Sequence, residues 1–454
     1  MRDFTSGGIA KQLLWFSLPM LIGSLFQQAY SMADAVVAGR LIGGNTLAAV
    51  GVAMTALNFL LAILMGLTTG ASVVISQFYG AKRYDKLNAT VSTSVVFLAM
   101  LSAAITLFGV MLSPRLLRLL NSPPEIFDEA SAYLRILLGA TIFPTFYNMY
   151  TAYLRALGDS RNPLFILIFT TTLNVALDVS FVIFFKMGVE GLALATILSQ
   201  ALSALLCYLY TRRFVPLLNV AKLSFDPDVF RSILKFGVPA AAQLSLVSLA
   251  SLTITRLINS FGASAMAGIT VSSRIDNIAI MPVSVLSMAL STFVAQNMGA
   301  GYEERAKKGF HTSLLIMVGL AVCTTGFLVV FGPRLILLFL DSREAGTAGI
   351  LRVGSGYLSI MSMFYFLFAF MFAFNGFFRG AGDAVIAMVF PVVSLTLRAV
   401  TAHLLVGLAG MGPEALAWSI PVGWGVTSLA SFAYYKKRLW AGKAITAVGA
   451  DTGS

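Results

Sequence analysis

The chain predicts an all-α polytopic membrane protein of twelve transmembrane helices in two six-helix lobes. Three observations predict it. Of 454 residues, 58% are hydrophobic and only 11% charged; the apolar residues gather into twelve runs; and the second six runs repeat the landmarks of the first six. A soluble domain is roughly 25% charged, so this composition and a mean hydropathy of +0.86 exclude a water-soluble globule. Because a spanning helix needs about 20 apolar residues, twelve helices use roughly 240 positions and leave no room for a large soluble domain.

The net charge of +12 would suggest nucleic acid in a soluble chain. In a membrane protein the same excess belongs on cytoplasmic loops, and no nucleic-acid partner is expected. Cys207 and Cys323 both lie in apolar segments, which offers no disulfide framework and no CxxC metal or redox motif. Lys11, Leu13 to Leu25 and Ala33-Asp34-Ala35 mimic a signal peptide with its cleavage site. The internal repeat argues that this stretch is retained as a span.

Apolar runs bounded by charges, Gly and Pro fall at about 12–38, 47–77, 88–112, 127–154, 163–185 and 189–211. Six more follow at about 236–258, 265–297, 309–332, 347–377, 384–408 and 414–435. The long polar interruption between the sets carries Pro216, Asp226, Pro227 and Asp228. It sets the expected organisation: a first lobe over 1–211, a cytoplasmic linker over 212–235, a second lobe over 236–440 and a flexible cytoplasmic tail over 441–454. With the N-terminus inside, inner segments hold 20 of the 31 Lys and Arg, among them Arg212, Arg213, Lys222, Arg231 and Lys235. That asymmetry predicts both termini in the cytoplasm.

The halves repeat at an offset of about 220. Leu18-Pro19 recurs as Val238-Pro239, Gln77-Phe78-Tyr79-Gly80-Ala81 as Gln296-Asn297-Met298-Gly299-Ala300, and Arg155-Ala156-Leu157-Gly158-Asp159 as Arg379-Gly380-Ala381-Gly382-Asp383. An even number of spans per half gives both the same orientation, related by a pseudo-two-fold axis along the membrane normal. Secondary transporters use such repeats to flank a cavity and alternate access to it.

Three acids lie well inside spans: Asp34, Asp178 and Asp276. An ionisable group there is costly and marks function by default. Counted from Arg40 and Lys186, Asp34 and Asp178 sit roughly 9 to 12 Å below the outer surface. Thr196 reaches a similar depth, and Asn174 shares a helix face with Asp178. Their oxygens suit a hard cation such as Na+; equally, the crowded acids could take up a proton. The second-half counterparts are Ile254, Arg398, Ala402 and Ser419, so the acidic group belongs to the first half alone.

Arg274 and Asp276 on the eighth span, with Arg398 and His403 on the eleventh, form a separate polar group that is either a structural charge network or a substrate contact. His311 is expected at the interface. Pro19 can kink the first span, and Gln27, Tyr30 and Asn148 could line a cavity. No Walker loop, HExxH, GxSxG or metal-spaced His/Cys set is present. Neither enzyme chemistry nor an organic cofactor is therefore expected, and transport would draw on an ion gradient.

Met32-Ala33-Asp34 through Gly39-Arg40-Leu41-Ile42-Gly43, the Gln-x-x-Gly-Ala ends of the second and eighth spans, the paired Arg-x-x-Gly-Asp loops and Asn174-Val175-Ala176-Leu177-Asp178 together resemble the multidrug and toxic compound extrusion family over about residues 8 to 438. The resemblance implies a V-shaped pair of lobes around a central cavity, in the plasma membrane. It also implies export of cationic, amphipathic compounds in exchange for inward H+ or Na+, by a functional monomer. The branch related to the DNA-damage-inducible exporter is the nearest in pattern. Its cation-site residues match Asp34, Asn174, Asp178 and Thr196, its first-span proline matches Pro19, and its cavity glutamine matches Gln27. The branch that uses acids on spans 7 and 10 fits less well: Val247 stands near the first position and the tenth span has no acid. The alternatives are a lipid-linked saccharide flippase, for which Arg274 and Arg398 speak, and a passive channel.

Overall fold

A computed structural model describes residues 2–220, 222–340 and 346–445, with side chains at 248–253 left aside. The expected flexible tail therefore lies, from residue 446 on, outside the described residues. Among the described residues every regular element is helical. In chain order these are α1 (Ile9–Val37), α2 (Gly44–Gly80), α3 (Tyr84–Leu119), α4 (Pro124–Gly139), α5 (Ile142–Ala156), α6 (Arg161–Ile183), α7 (Val189–Phe214) and α8 (Pro227–Asn259). There follow α9 (Ala263–Ala279), α10 (Met281–Gly299), α11 (Glu303–Leu337), α12 (Thr347–Met363), α13 (Tyr365–Ala381), α14 (Ala384–Gly407) and α15 (Glu414–Lys436).

All twelve apolar runs are helical, and three are broken into two helices each. The fourth run is α4 and α5, the eighth α9 and α10, and the tenth α12 and α13, bent by 52° at Phe364. Among the described residues, eight helical stretches are long and apolar enough to cross a membrane unaided, and the bent tenth run makes a ninth.

A break inside a membrane frees carbonyls that lipid cannot satisfy. In the fourth run Thr106 of α3 donates to the Leu138 carbonyl at 2.8 Å. In the tenth run Thr325 of α11 donates to the Ser362 carbonyl at 2.5 Å. Leu138 and Ser362 are repeat mates, so one device serves both halves. In the eighth run Pro282, near the start of α10, lacks the N–H needed to continue α9. No break occurs at Pro19: α1 runs through it, and the irregularity is a π-helical turn at Ala38–Ile42.

The helices form two compact units. The first comprises Met1–Asp3 and Leu18–Ala241, the second Phe4–Ser17 and Ala242–Ser454. In the first unit the segment before α8 is fixed to α3: Ser224 donates its amide to Ser92 Oγ at 2.6 Å, Asp226 its amide to Thr93 Oγ1 at 3.0 Å, and Lys86 pairs with Asp226 at 3.3 Å. In the second unit the segment before α1 is held in the matching way. The Phe4 amide donates to Gln296 at 3.1 Å, its ring packs on Phe16 and Phe293, and Arg305 donates to the carbonyls of Phe4, Ser6 and Gly7.

The paired Arg-x-x-Gly-Asp loops are turns that start the next helix. Gly158 and Gly382 have φ of +80° and +97°, a region that favours glycine. Asp159 accepts from the amides of Arg161 and Asn162 and from the Tyr210 hydroxyl at 2.9 Å. Asp383 accepts from the Ile386 amide, the Tyr434 hydroxyl at 2.6 Å and Lys443 at 2.6 Å. These matched pairs fix the register of this part of the repeat. They set Thr196 opposite Ile420, one residue beyond Ser419.

Candidate ion-coupling site

In the first unit three helices each present a polar pair one turn apart, the spacing that puts two side chains on one face. They are Tyr30 and Asp34 on α1, Asn174 and Asp178 on α6, and Thr196 and Gln200 on α7. Tyr30, Asp34, Thr196 and Gln200 line a cavity of about 330 Å³, together with Tyr133 of α4, Thr141 and an apolar wall that includes Leu47, Met54, Leu57 and Leu137. Asn174 and Asp178 are buried, 2% and 1% exposed. The Asp178 carboxyl faces that of Asp34 closely enough for the two to interact directly. Tyr30 reaches Asp34 and Thr196, and Tyr133 reaches Thr196.

Among the described residues, the cluster is rich in buried polar atoms without a hydrogen-bond partner. Asp34 Oδ1, both carboxylate oxygens of Asp178, the amide oxygen and nitrogen of Asn174 and Gln200 Oε1 are shielded without a hydrogen-bond partner. Two facing carboxylates supply no donor to one another. Buried polar groups are otherwise nearly always paired, so these oxygens suit a small cation or a shared proton. Among the described residues no group of three or more His, Cys, Asp or Glu is placed to hold a metal ion.

The other residues singled out from sequence are dispersed. Gln27 is exposed, and its carbonyl accepts from the Ser31 hydroxyl at 3.1 Å. Asn148 donates to the Pro144 carbonyl of its own helix at 2.8 Å. In the second unit Asp276 accepts from the Tyr365 hydroxyl at 2.6 Å and feels the charge of Arg398, which also reaches Tyr357. Arg274 is exposed. His403 is exposed and its ring contacts the Ala399 carbonyl of its own helix, and His311 is exposed against Phe310 and Tyr435. Sequence reasoning missed Tyr133 and Gln200. The position of Gln200 one turn beyond Thr196 was the available signal.

Two helical units of one repeat, with an acidic cavity inside one of them, define a polytopic membrane protein of the transporter class. The chain belongs to the MatE family, whose model matches residues 19–180 and 239–404, once in each half. It is 30% identical over 96% of its length to the probable multidrug resistance protein YpnP of Bacillus subtilis, covering 97% of that protein. It is also 24% identical to the multidrug export protein MepA of Staphylococcus aureus (strain NCTC 8325), over 94% of each. Its fold matches a MOP superfamily transporter from Pyrococcus furiosus with a TM-score of 0.89 at 23% identity, covering 97% of this chain and 98% of that one. An outward-facing MATE family multidrug resistance transporter also matches at 0.89 and 23%, over 96% and 97%.

Proposed function

We propose that this protein is a secondary active exporter that moves cationic, amphipathic organic compounds out of the cell in exchange for H+ or Na+. The observation that carries the reading is the facing pair Asp34 and Asp178, with orphaned oxygens around it, at a cavity of the first unit. The names of the relatives YpnP and MepA support multidrug compounds as the cargo.

A cation or proton entering from outside neutralises or bridges Asp34 and Asp178, with Asn174 and Thr196 completing the ligand set. Bringing a second negative charge beside the first in a low-dielectric cavity is costly, so occupancy changes which packing of α1 is favoured. Pro19 and the π-helical turn at Ala38–Ile42 are the places where α1 can repack, since neither holds a regular hydrogen-bond ladder. Gln27, Tyr30 and Asn148 contribute polar contacts to the cargo. Coupling follows if ion and cargo favour opposite states. The Asp276–Arg398 group holds the second unit together.

We place the protein in the plasma membrane as a functional monomer with both termini cytoplasmic, its lobes spanning 1–211 and 236–440 around the 212–235 linker. We assign it to the branch related to the DNA-damage-inducible exporter on the pattern of Asp34, Asn174, Asp178 and Thr196. A saccharide flippase draws less support, since Arg398 is engaged with Asp276 and Tyr357. The test is efflux of a fluorescent cation from proteoliposomes with Na+ and pH gradients imposed separately. Uphill efflux under one gradient supports antiport; efflux that only equilibrates the dye identifies a channel.

A further inference from the structure

The wall of the first-unit cavity has a counterpart in the repeat, and the side chains there are exchanged for larger ones. In the register of the Gly-Asp turns, Thr141, Pro144 and Gln200 of that wall have Tyr365, Phe368 and Trp424 as mates. In the register of the Gln-x-x-Gly-Ala ends, Leu57 of the same wall has Asp276. Positions that border an open space of about 330 Å³ in the first unit thus carry rings and a carboxyl group in the second.

These second-unit side chains meet one another. The Tyr365 hydroxyl donates to Asp276 Oδ1 at 2.6 Å and ties α13 to α9. Trp424 of α15 packs edge-on against Phe368, with 5.2 Å between ring centroids, and its ring lies 6.5 Å from that of Tyr365. Tyr365, Phe368 and Trp424 are buried, at 2%, 5% and 9% exposed. Edge-on contact is a packing that aromatic rings prefer, so the rings form a core. The ion ligands are exchanged as well: Asp34 for Ile254, Asp178 for Ala402, both of these mates buried, and Asn174 for Arg398. A guanidinium stays charged at physiological pH, so in this register the second unit carries a fixed cation where the first would take one up.

We propose that the second unit is permanently self-occupied: Trp424, Phe368 and Tyr365 fill its chamber with rings, Arg398 supplies the cation, and removal of the Trp424 indole opens a latent site for a flat apolar aromatic of indole size. This rests on the export reading above, with the first-unit cavity as its cargo chamber. An apolar wall without neighbours forfeits its dispersion contacts. Filling therefore stabilises the second unit, and the first remains the unit whose packing depends on what it binds. An apolar cavity left by a deleted ring stays dry and takes up a small aromatic, which makes the filling measurable.

The test uses the full chain in phosphatidylcholine nanodiscs, with indole as the probe and the thermal unfolding midpoint as the readout. Trp424→Ala is expected to lower the midpoint, and indole at about ten times its dissociation constant to restore about 3–5 °C of it. The wild type and Trp418→Ala, a variant at an exposed ring, are expected not to respond. Phe368→Ala with benzene carries the same expectation and serves where Trp424→Ala does not fold. Indole that stabilises the wild type as much as the variant overturns the proposal, and so does a failure of the probes to stabilise the variants. Gln200→Trp makes the reciprocal exchange, giving the first unit the indole of the second. It is expected to weaken rhodamine 6G binding by about tenfold or more with the midpoint held or raised, and dye binding at the wild-type affinity overturns the equivalence of the two chambers. Uphill efflux of the dye by the wild type reports on the export reading separately. Its absence removes that reading and leaves indole to decide the filling; its presence beside a failed rescue removes the filling alone.

Discussion

Replacing Gly70 by Ala probes a close helix contact of the first unit. Gly66 and Gly70 of α2 meet Ala241 and Gly237 of α8 backbone to backbone. A Cβ on Gly66 would lie 2.6 Å from the Ala241 Cβ, one on Gly70 2.8 Å from the Phe236 carbonyl carbon, and one on Gly237 2.9 Å from the Leu67 Cα. Ordinary van der Waals contacts for such an atom run from 3.4 to 4 Å. Because the obstacle at Gly70 is main chain, no rotamer change relieves it and the two helices must part by about 1 Å. Overpacking of this kind costs about 1–3 kcal/mol, and the upper end applies where backbone meets backbone. Ala gains back about 0.5–1 kcal/mol over Gly in a helix interior, leaving a net loss of about 2 kcal/mol. In a unit of this size that is a fall of about 4–8 °C in the apparent unfolding midpoint of the detergent-purified protein. Gly319→Ala on α11, with nothing within 4 Å of the added atom, isolates the propensity term and should raise the midpoint slightly. If Gly70→Ala also raises it, the close-packing argument is wrong.

Further outcomes follow from other contacts. Trp440 is fully buried, stacked on Tyr435 at 5.9 Å and edge-on to Phe377 at 4.8 Å. Trp440→Ala should cost about 3–5 kcal/mol, read as a lower midpoint, and an unchanged midpoint would show that the segment after α15 does not dock. Asp383→Ala removes the cap of α14 together with the acceptor for Tyr434 and Lys443; a loss of about 1–2 kcal/mol is expected, measured in the same way. The backbone amide of Val229 and the nearby Lys86 hold the Asp226 carboxyl below its usual range. A depressed carboxyl stabilises the fold above its unfolded value, near 4, and that contribution is lost as pH falls through the folded value. Asp226→Asn should therefore lower the midpoint at pH 7, and the gap to the wild type should close on acidification below about 4. A gap that does not change with pH contradicts the assignment.

The spans were legible because a lipid-crossing helix must be apolar along its length, and the repeat because the Gly-Asp turns need the same residues twice. The breaks at Ala140, Ile280 and Phe364 were not. Those in the fourth and tenth runs are made tolerable by Thr106 and Thr325 on other helices, so nothing local marks them. Pro19 drew attention as a proline inside a span, yet the helix absorbs it and the irregularity falls at Ala38–Ile42, where the sequence carries no breaker except Gly39. Asp34 and Asp178 were legible because carboxylates in lipid are expensive. Tyr133 and Gln200 were not, since one polar side chain on a span is more often packing glue.

The central claim is that Asp34 and Asp178 convert an ion gradient into export. The most direct measurement is uphill efflux of a fluorescent cation from proteoliposomes carrying the wild type, Asp34→Asn or Asp178→Asn under the same inward ion gradient. Gradient-driven efflux by the wild type and its loss in both variants, with dye binding and unfolding midpoints preserved, is the predicted result. Uphill efflux at the wild-type rate by either variant would contradict it.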